Sequence, residues 1–190
     1  MILIDSLIPT YQTLYYCRNW GTSLAETGNL DEAEHKFLQA ISNSPELAPK
    51  AMLNLSLIYQ AKARTSLNGG DIEQARKDAK EASNWMDSVK EWIESDASLL
   101  SEKNELESYK SQYKPLRLQS HRLSGQIMAA MSDFEACEEE FKEAVENFPN
   151  EAMAWDMYAR ILELRGKAEE ATKAKGKVNL LKSFTGGFPM

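Results

Sequence analysis

The chain has 190 residues, of which 43% are hydrophobic, a size and composition that suit one domain with a continuous core. Its formal charge of -7 disfavours a nucleic-acid role, which normally needs a basic face to displace phosphate counterions. No run approaches the ~20 apolar residues that cross a bilayer, and Met1-Ile2-Leu3-Ile4, cut by Asp5 and lacking a basic leader, does not read as a signal peptide; a cytoplasmic protein without a membrane span is expected.

Residues 14–47 read as two antiparallel helices. Ala33, Phe37, Ala40 and Ile41 stand at i, i+4, i+7 and i+8, one stripe of a helix. Gly28-Asn29 breaks the chain before that stripe, Asp31-Glu32 place carboxylates in its first turn, and Pro45 ends it. Gly21 lets the two helices approach, while Trp20 and Phe37 fill the flanking space. Residues 49–83 repeat the plan with Met52, Leu55, Ser56 and Tyr59 on a first helix and Ala75, Ala79 and Ala82 on a second. Between them, Ser66-Leu67-Asn68-Gly69-Gly70 reads as an expanded turn.

From Asp71 to Lys114 there is neither Gly nor Pro, so residues 84–117 are expected in one or two long helices carrying Trp85, Trp92, Leu99, Leu100, Leu106 and Tyr109. Pro115 would then open the next helix, a favoured place in a first turn. Residues 118–151 restore the spacing: Ser124-Gly125, Met128, Cys137, Phe141, Ala144 and Pro149 repeat the offsets of Trp20-Gly21, Leu24, Ala33, Phe37, Ala40 and Pro45. Residues 152–185 continue with Trp155, Tyr158-Ala159, Leu162, Gly166 and Ala171, followed by a tail at 186–190. Ala33 and Cys137 lie 104 residues apart, three periods of 34 plus two. The count predicts five helical pairs, the third degenerate.

These offsets resemble the tetratricopeptide repeat family, whose 34-residue pattern is W-x2-L-G-x2-Y, then A-x3-F-x2-A and a closing Pro. His121 replaces the first Trp in residues 118–151, and Lys175 replaces the Phe in residues 152–185, which suits a terminal repeat with a polar outer face. The turn in residues 49–83 is about seven residues longer than the pattern. The resemblance implies an all-α, right-handed superhelical solenoid of helix pairs over residues 1–190, with an irregular long-helix segment in the middle. It also implies a non-catalytic adaptor, assembly factor or structural subunit that binds another protein as a peptide, helix or folded subunit. Partners of this family commonly lie on the concave surface lined by the first helix of each pair. Carried over position by position, that surface would present Tyr15, Arg18, Thr22 and Glu26, then Lys50, Leu53, Leu57 and Gln60. The later repeats would add Gln119, Arg122, Gln126 and Ala129, then Met153, Asp156, Arg160 and Glu163. Met153, with Met128, Met131 and Met157 nearby, could furnish an adaptable contact.

The alternative is a chaperone-like protein holding a client peptide or helix in the same groove. Family members that bind Hsp70 and Hsp90 tails use a clamp of lysine, asparagine and arginine on the inner helices. Here Arg18 and Thr22 stand where lysine and asparagine are expected, and Gln119 and Leu123 where lysine and arginine are expected; Asn54 stands alone. The carboxylate clamp is not intact.

No catalytic, cofactor or metal constellation is visible. His35 and His121 lie in different repeats without an Asp, Cys or Ser at a triad or metal spacing. Cys17 and Cys137 lack a CxxC spacing and read as buried small hydrophobes. Gly69-Gly70 and Gly186-Gly187 lack the strand and lysine of a phosphate loop, and the Asn54-Leu55-Ser56 acceptor falls inside an expected helix. Asp133 to Glu151 is acidic, with Lys142 alone against it, and reads as a solvated outer face or a docking face for a basic partner. The last helix reverses the sign with Arg160, Arg165, Lys167, Lys173, Lys175 and Lys177, cations that can complement a helix dipole.

Overall fold

The structure is a computed structural model that describes residue 24 and residues 27–43, 48–95 and 103–185. Among these it holds seven α-helices and no strand: α1 (Leu30–Asn43), α2 (Ala48–Asn68), α3 (Ile72–Ser95), α4 (Lys103–Ala130), α5 (Phe134–Asn147), α6 (Ala152–Leu164) and α7 (Ala168–Thr185). Tyr15, Cys17, Arg18, Trp20, Gly21, Thr22, Glu26, Pro45, Leu99 and Leu100 lie outside the described residues, as does the tail at 186–190.

One turn geometry sets the pairing. Gly28, Gly70, Ser132 and Gly166 all adopt positive φ, between 60° and 83°. The residue after each donates its amide hydrogen to the carbonyl five positions back: Asn29 to Leu24, Asp71 to Ser66, Asp133 to Met128 and Lys167 to Leu162, each at 2.9 Å. This closure satisfies carbonyls that the end of a helix would leave orphaned, and it reverses the chain within a few residues. The next helix starts at once. Asp71 and Asp133 cap it, accepting from the amides of Gln74 and Ala136 at 3.0 and 3.1 Å. Five residues after each positive-φ residue comes a small side chain, Ala33, Ala75, Cys137 or Ala171, and all four are buried. Small residues there let the returning helix press close to the outgoing one.

Each helix packs on its successor, and α2 also packs on α4, and α4 on α6. The pairs are therefore α2–α3, α4–α5 and α6–α7, with α1 packed on α2 ahead of them. Stacked this way they form an α-solenoid in which each pair buries its neighbour's apolar face. Phe37 and Leu55 fill the α1–α2 junction, and Leu123 and Ile127 of α4 meet Ala63, Ala75 and Ala79 of the preceding pair. Phe141, Val145, Met157 and Ile161 close the junction of α5 with α6. Burying a side chain of this size contributes roughly 1.5–3 kcal/mol.

The middle departs from the sequence expectation in three ways. Ser66, Leu67 and Asn68 belong to α2, so the expanded turn is a short Gly69-Gly70 closure and the surplus residues lengthen helices instead. Pro115 opens no helix; it sits inside the 28-residue α4. Residues 84–117 form no pair of their own among the described residues: 84–95 end α3 and 103–117 begin α4. The 104 residues from Ala33 to Cys137 thus span two steps of the array rather than three. The physical cause is an added apolar layer. Leu53, Met86 and Val89 are buried together, with Met52, Ile93, Tyr109, Tyr113 and Leu116 packed around them, and Trp92 meets Tyr109 edge to face at 5.7 Å. That layer rewards continuing α3 and α4 past the usual stopping points.

Buried polar groups tie the layers. Arg117 of α4 is buried, donates to the Ser83 hydroxyl at 2.8 Å and pairs with Asp87 at 2.9 Å and with Glu143 at 3.4 Å, joining α3, α4 and α5. The Ser56 hydroxyl donates to the Ala82 carbonyl at 3.0 Å across the α2–α3 pair. Asn54 lies inside α2 with its amide nitrogen buried, which removes it as a glycosylation acceptor.

Candidate functional site

The first helices of successive pairs, α2, α4 and α6, stand side by side and present one inner face. Two cavities open on it. One, of about 310 Å³, is lined by Arg64 of α2 and by Gln119, Arg122, Leu123 and Gln126 of α4. The other, of about 370 Å³, is lined by Arg122, Gln126, Phe141, Met153, Asp156, Met157 and Arg160. Arg122 and Gln126 belong to both, so the two form one groove from α2 to α6.

Six expected residues meet in this groove: Gln119, Arg122, Gln126, Met153, Asp156 and Arg160. Met153 is half-exposed and Asp156 pairs with Arg160 at 2.8 Å, one turn apart on α6. Met157, by contrast, is buried in the core. Glu163 is exposed at the end of α6 and pairs with Lys175, away from the cavity linings. The set drawn from the second repeat fares worse. Leu53 and Gln60 are buried and unavailable to a partner: Leu53 packs in the added apolar layer, and the Gln60 amide donates to Ser56 at 3.2 Å and to the Leu116 carbonyl at 3.4 Å. Leu57 is exposed and Lys50 partly so, and neither lines these cavities.

Arg64 is the residue that sequence reasoning missed. It stands six positions before Gly70, as Gln126 stands before Ser132 and Arg160 before Gly166. Reading the turn as expanded moved the register two helical turns toward the N-terminus and selected Lys50 and Leu53 instead. Anchoring on Gly70, five residues before Ala75 as Gly28 is before Ala33, would have found it. Leu123, the position at which a carboxylate clamp needs an arginine, is buried core.

The acidic helix α5 is largely engaged by its own chain. Glu138 pairs with Arg165 at 2.6 Å and Lys167 at 2.7 Å, Glu140 faces His121 Nδ1 at 2.7 Å, Glu143 reaches Arg117, and Glu151 beyond the helix pairs with Lys114. At the other end of the array, Lys62 bridges Asp31 and Glu34 at 2.5 and 2.7 Å, and the Tyr59 hydroxyl donates to Glu34 at 2.6 Å. Burial, and then that bond, raise the Tyr59 pKa above the ordinary phenol range. The Cys137 thiol is buried, donates weakly to the Gly125 carbonyl at 3.4 Å, and is pushed up to about 11, first by burial and then by Glu140 and Asp133. It stays protonated at neutral pH, the form that is neither nucleophile nor metal ligand. Among the described residues no three His, Cys, Asp or Glu side chains group as a metal site, and no helix is long and apolar enough to cross a membrane.

A stack of antiparallel helix pairs, closed by repeated positive-φ turns, defines a helical-repeat fold. The sequence model of the tetratricopeptide repeat family matches residues 125–177, so that stretch is tetratricopeptide-repeat sequence. This repeat is generally a non-catalytic module through which proteins bind other proteins. Solved structures similar to the chain include one titled MamA MSR-1 C2, at 18% identity over 90% of this chain and 98% of that one, with a TM-score of 0.38. Another, from a functional characterization of Pseudomonas aeruginosa PilF, has 13% identity over 95% of this chain and 79% of that one, with a TM-score of 0.40. A search of curated proteins finds no significant match.

Proposed function

We propose that this chain is a non-catalytic adaptor, assembly factor or structural subunit that holds part of another protein in the groove formed by α2, α4 and α6. The observation that carries this reading is the continuity of the groove. Three successive first helices contribute exposed polar side chains and the half-exposed Met153 to two cavities joined through Arg122 and Gln126. Groove charges lose part of their hydration when a partner covers them, so they matter more than charges that stay in water. The acidic α5 supports the same reading, because Glu138, Glu140 and Glu143 already have partners within the chain.

The test is affinity capture from the native cell with cross-linking and mass spectrometry, using the full chain and two variants. Arg160→Ala should cost captured partners ~2 kcal/mol of affinity, the range for an arginine hot spot, with little change in melting temperature. Glu139→Ala should change neither. Capture that survives Arg160→Ala but fails when Glu138, Glu139 and Glu140 are changed together would move the docking face to α5 and refute the groove.

A further inference from the structure

We propose that the groove takes an acidic peptide segment, with its carboxylates held between Arg64 of α2 and Arg122 of α4. This rests on the groove reading and adds the chemistry of the occupant. Several cations of this chain of net charge -7 are held by a carboxylate of their own, as Lys62, Arg117, Arg165 and Lys167 are. Arg64 and Arg122 are exposed and pair with no described residue, yet both line the same cavity. The rest of that cavity is Gln119, Gln126 and Leu123: two amides and an apolar floor, without a carboxylate. A guanidinium presents a planar fork of donors that matches a carboxylate with two parallel hydrogen bonds. Here two such forks stand on helices that pack directly against each other, so their mutual placement is set by the core and not by a loop.

The adjoining cavity sets the chemistry of the occupant's next residues. Its one carboxylate, Asp156, is already bound to Arg160, and Met153 offers a half-exposed apolar shelf. A segment with acidic residues over α2 and α4 and an apolar residue over α6 is complementary at both places. A basic segment would meet two unpaired guanidinium groups. A nucleic acid would bring many more negative charges than the groove can match, against a chain already negative overall.

Fluorescence anisotropy on the full chain tests this with three fluorescein-labelled probes. One is a twelve-residue peptide rich in Asp and Glu with two leucines, one is the same peptide with every acid changed to Lys, and one is a single-stranded RNA dodecamer. Each carries a photo-cross-linker for mapping by mass spectrometry. The acidic peptide should bind and cross-link to α2, α4 and α6. Arg64→Gln and Arg122→Gln should each weaken it about tenfold, and Gln119→Glu, which puts a carboxylate into the cavity, should do the same. Melting temperature should hold in all three variants, since these side chains are exposed. Equal groove binding of the acidic and basic peptides would overturn the charge preference while leaving the groove reading standing. Preference for the basic peptide or the RNA would overturn it too. If no peptide cross-links within the groove, the groove reading itself falls.

Discussion

At the scale of single residues, the helix crossing of the α4–α5 pair depends on Gly125. A Cβ built there would lie 2.2 Å from Phe141 Cζ and 2.4 Å from Cε1. The ring cannot swing aside freely, because it is buried among Leu118, Ala144, Met157 and Ile161. Gly125→Ala would ordinarily gain ~0.5–1 kcal/mol inside a helix, but overpacking a close crossing costs ~1–3 kcal/mol, so the clash wins. Urea denaturation should show a lower midpoint for Gly125→Ala, partly restored by adding Phe141→Leu. An unaltered midpoint would mean that this crossing is not tight. The turn residue Ser132 presents the opposite case. Its φ of 60° is the left-handed conformation that Gly28, Gly70 and Gly166 adopt without a Cβ. For a non-glycine residue that conformation costs ~1–2 kcal/mol, partly offset by the greater freedom glycine has when unfolded. Ser132→Gly should therefore raise stability by up to ~1 kcal/mol in the same assay, while Gly166→Ala should lower it.

At the scale of elements, ion pairs lock neighbouring pairs together, and their effect depends on pH. Glu138 on α5 holds Arg165 and Lys167 at the turn between α6 and α7. Burial acts to raise the Glu138 pKa, but Lys167 and Arg165 together outweigh it and hold it below the ordinary 4.5. A carboxyl whose pKa is depressed on folding contributes stability that is fully present above its unfolded value and disappears as pH falls through the folded one. Glu138→Gln should thus be less stable than the parent at pH 7, with the difference shrinking below pH 4.5; paired urea melts at pH 7 and pH 3 check this. A constant difference would assign the loss to packing. Helix type and the residues of each stripe were legible from periodicity, as Ala33, Phe37 and Ala40 and then Cys137, Phe141 and Ala144 attest. Helix ends were less so. Ser66, Asn68 and Pro115 favour turns or helix starts locally, yet Leu67 packs on the cluster of Ala63, Ala75, Leu123 and Ile127 and Leu116 on that of Met86 and Val89, so the helices run through them. The candidate groove follows the same division: Gln119, Arg122, Gln126, Met153, Asp156 and Arg160, placed from Gly125 and Trp155, line its cavities, whereas an expanded turn in the second repeat leaves Arg64 out of the expected set.

At the scale of the whole molecule, stability should be graded along the stack. In a repeat array each pair is held chiefly by its neighbours, so a helix with one neighbour opens before one with several. α7 packs on α6 and leaves Leu180 and Phe184 exposed, whereas α4 is covered by α2, α3, α5 and α6. Native-state hydrogen exchange should find the slowest amides in α2, α3 and the second half of α4, and the fastest helical amides in α7. The reverse order would place the dominant core at the C-terminal pair. The overlong α3 and α4 carry one more consequence. Repeat proteins grow by copying a pair, and a copy made of 13- or 14-residue helices such as α6 and α5 fits wherever its neighbours are equally short. Between α3 and α4 it would not fit, because it could not reach Leu53, Met86, Val89 and Leu116 and would leave them to water. The middle of the chain is a keystone, so duplication can lengthen this protein beside its short pairs but cannot split it there.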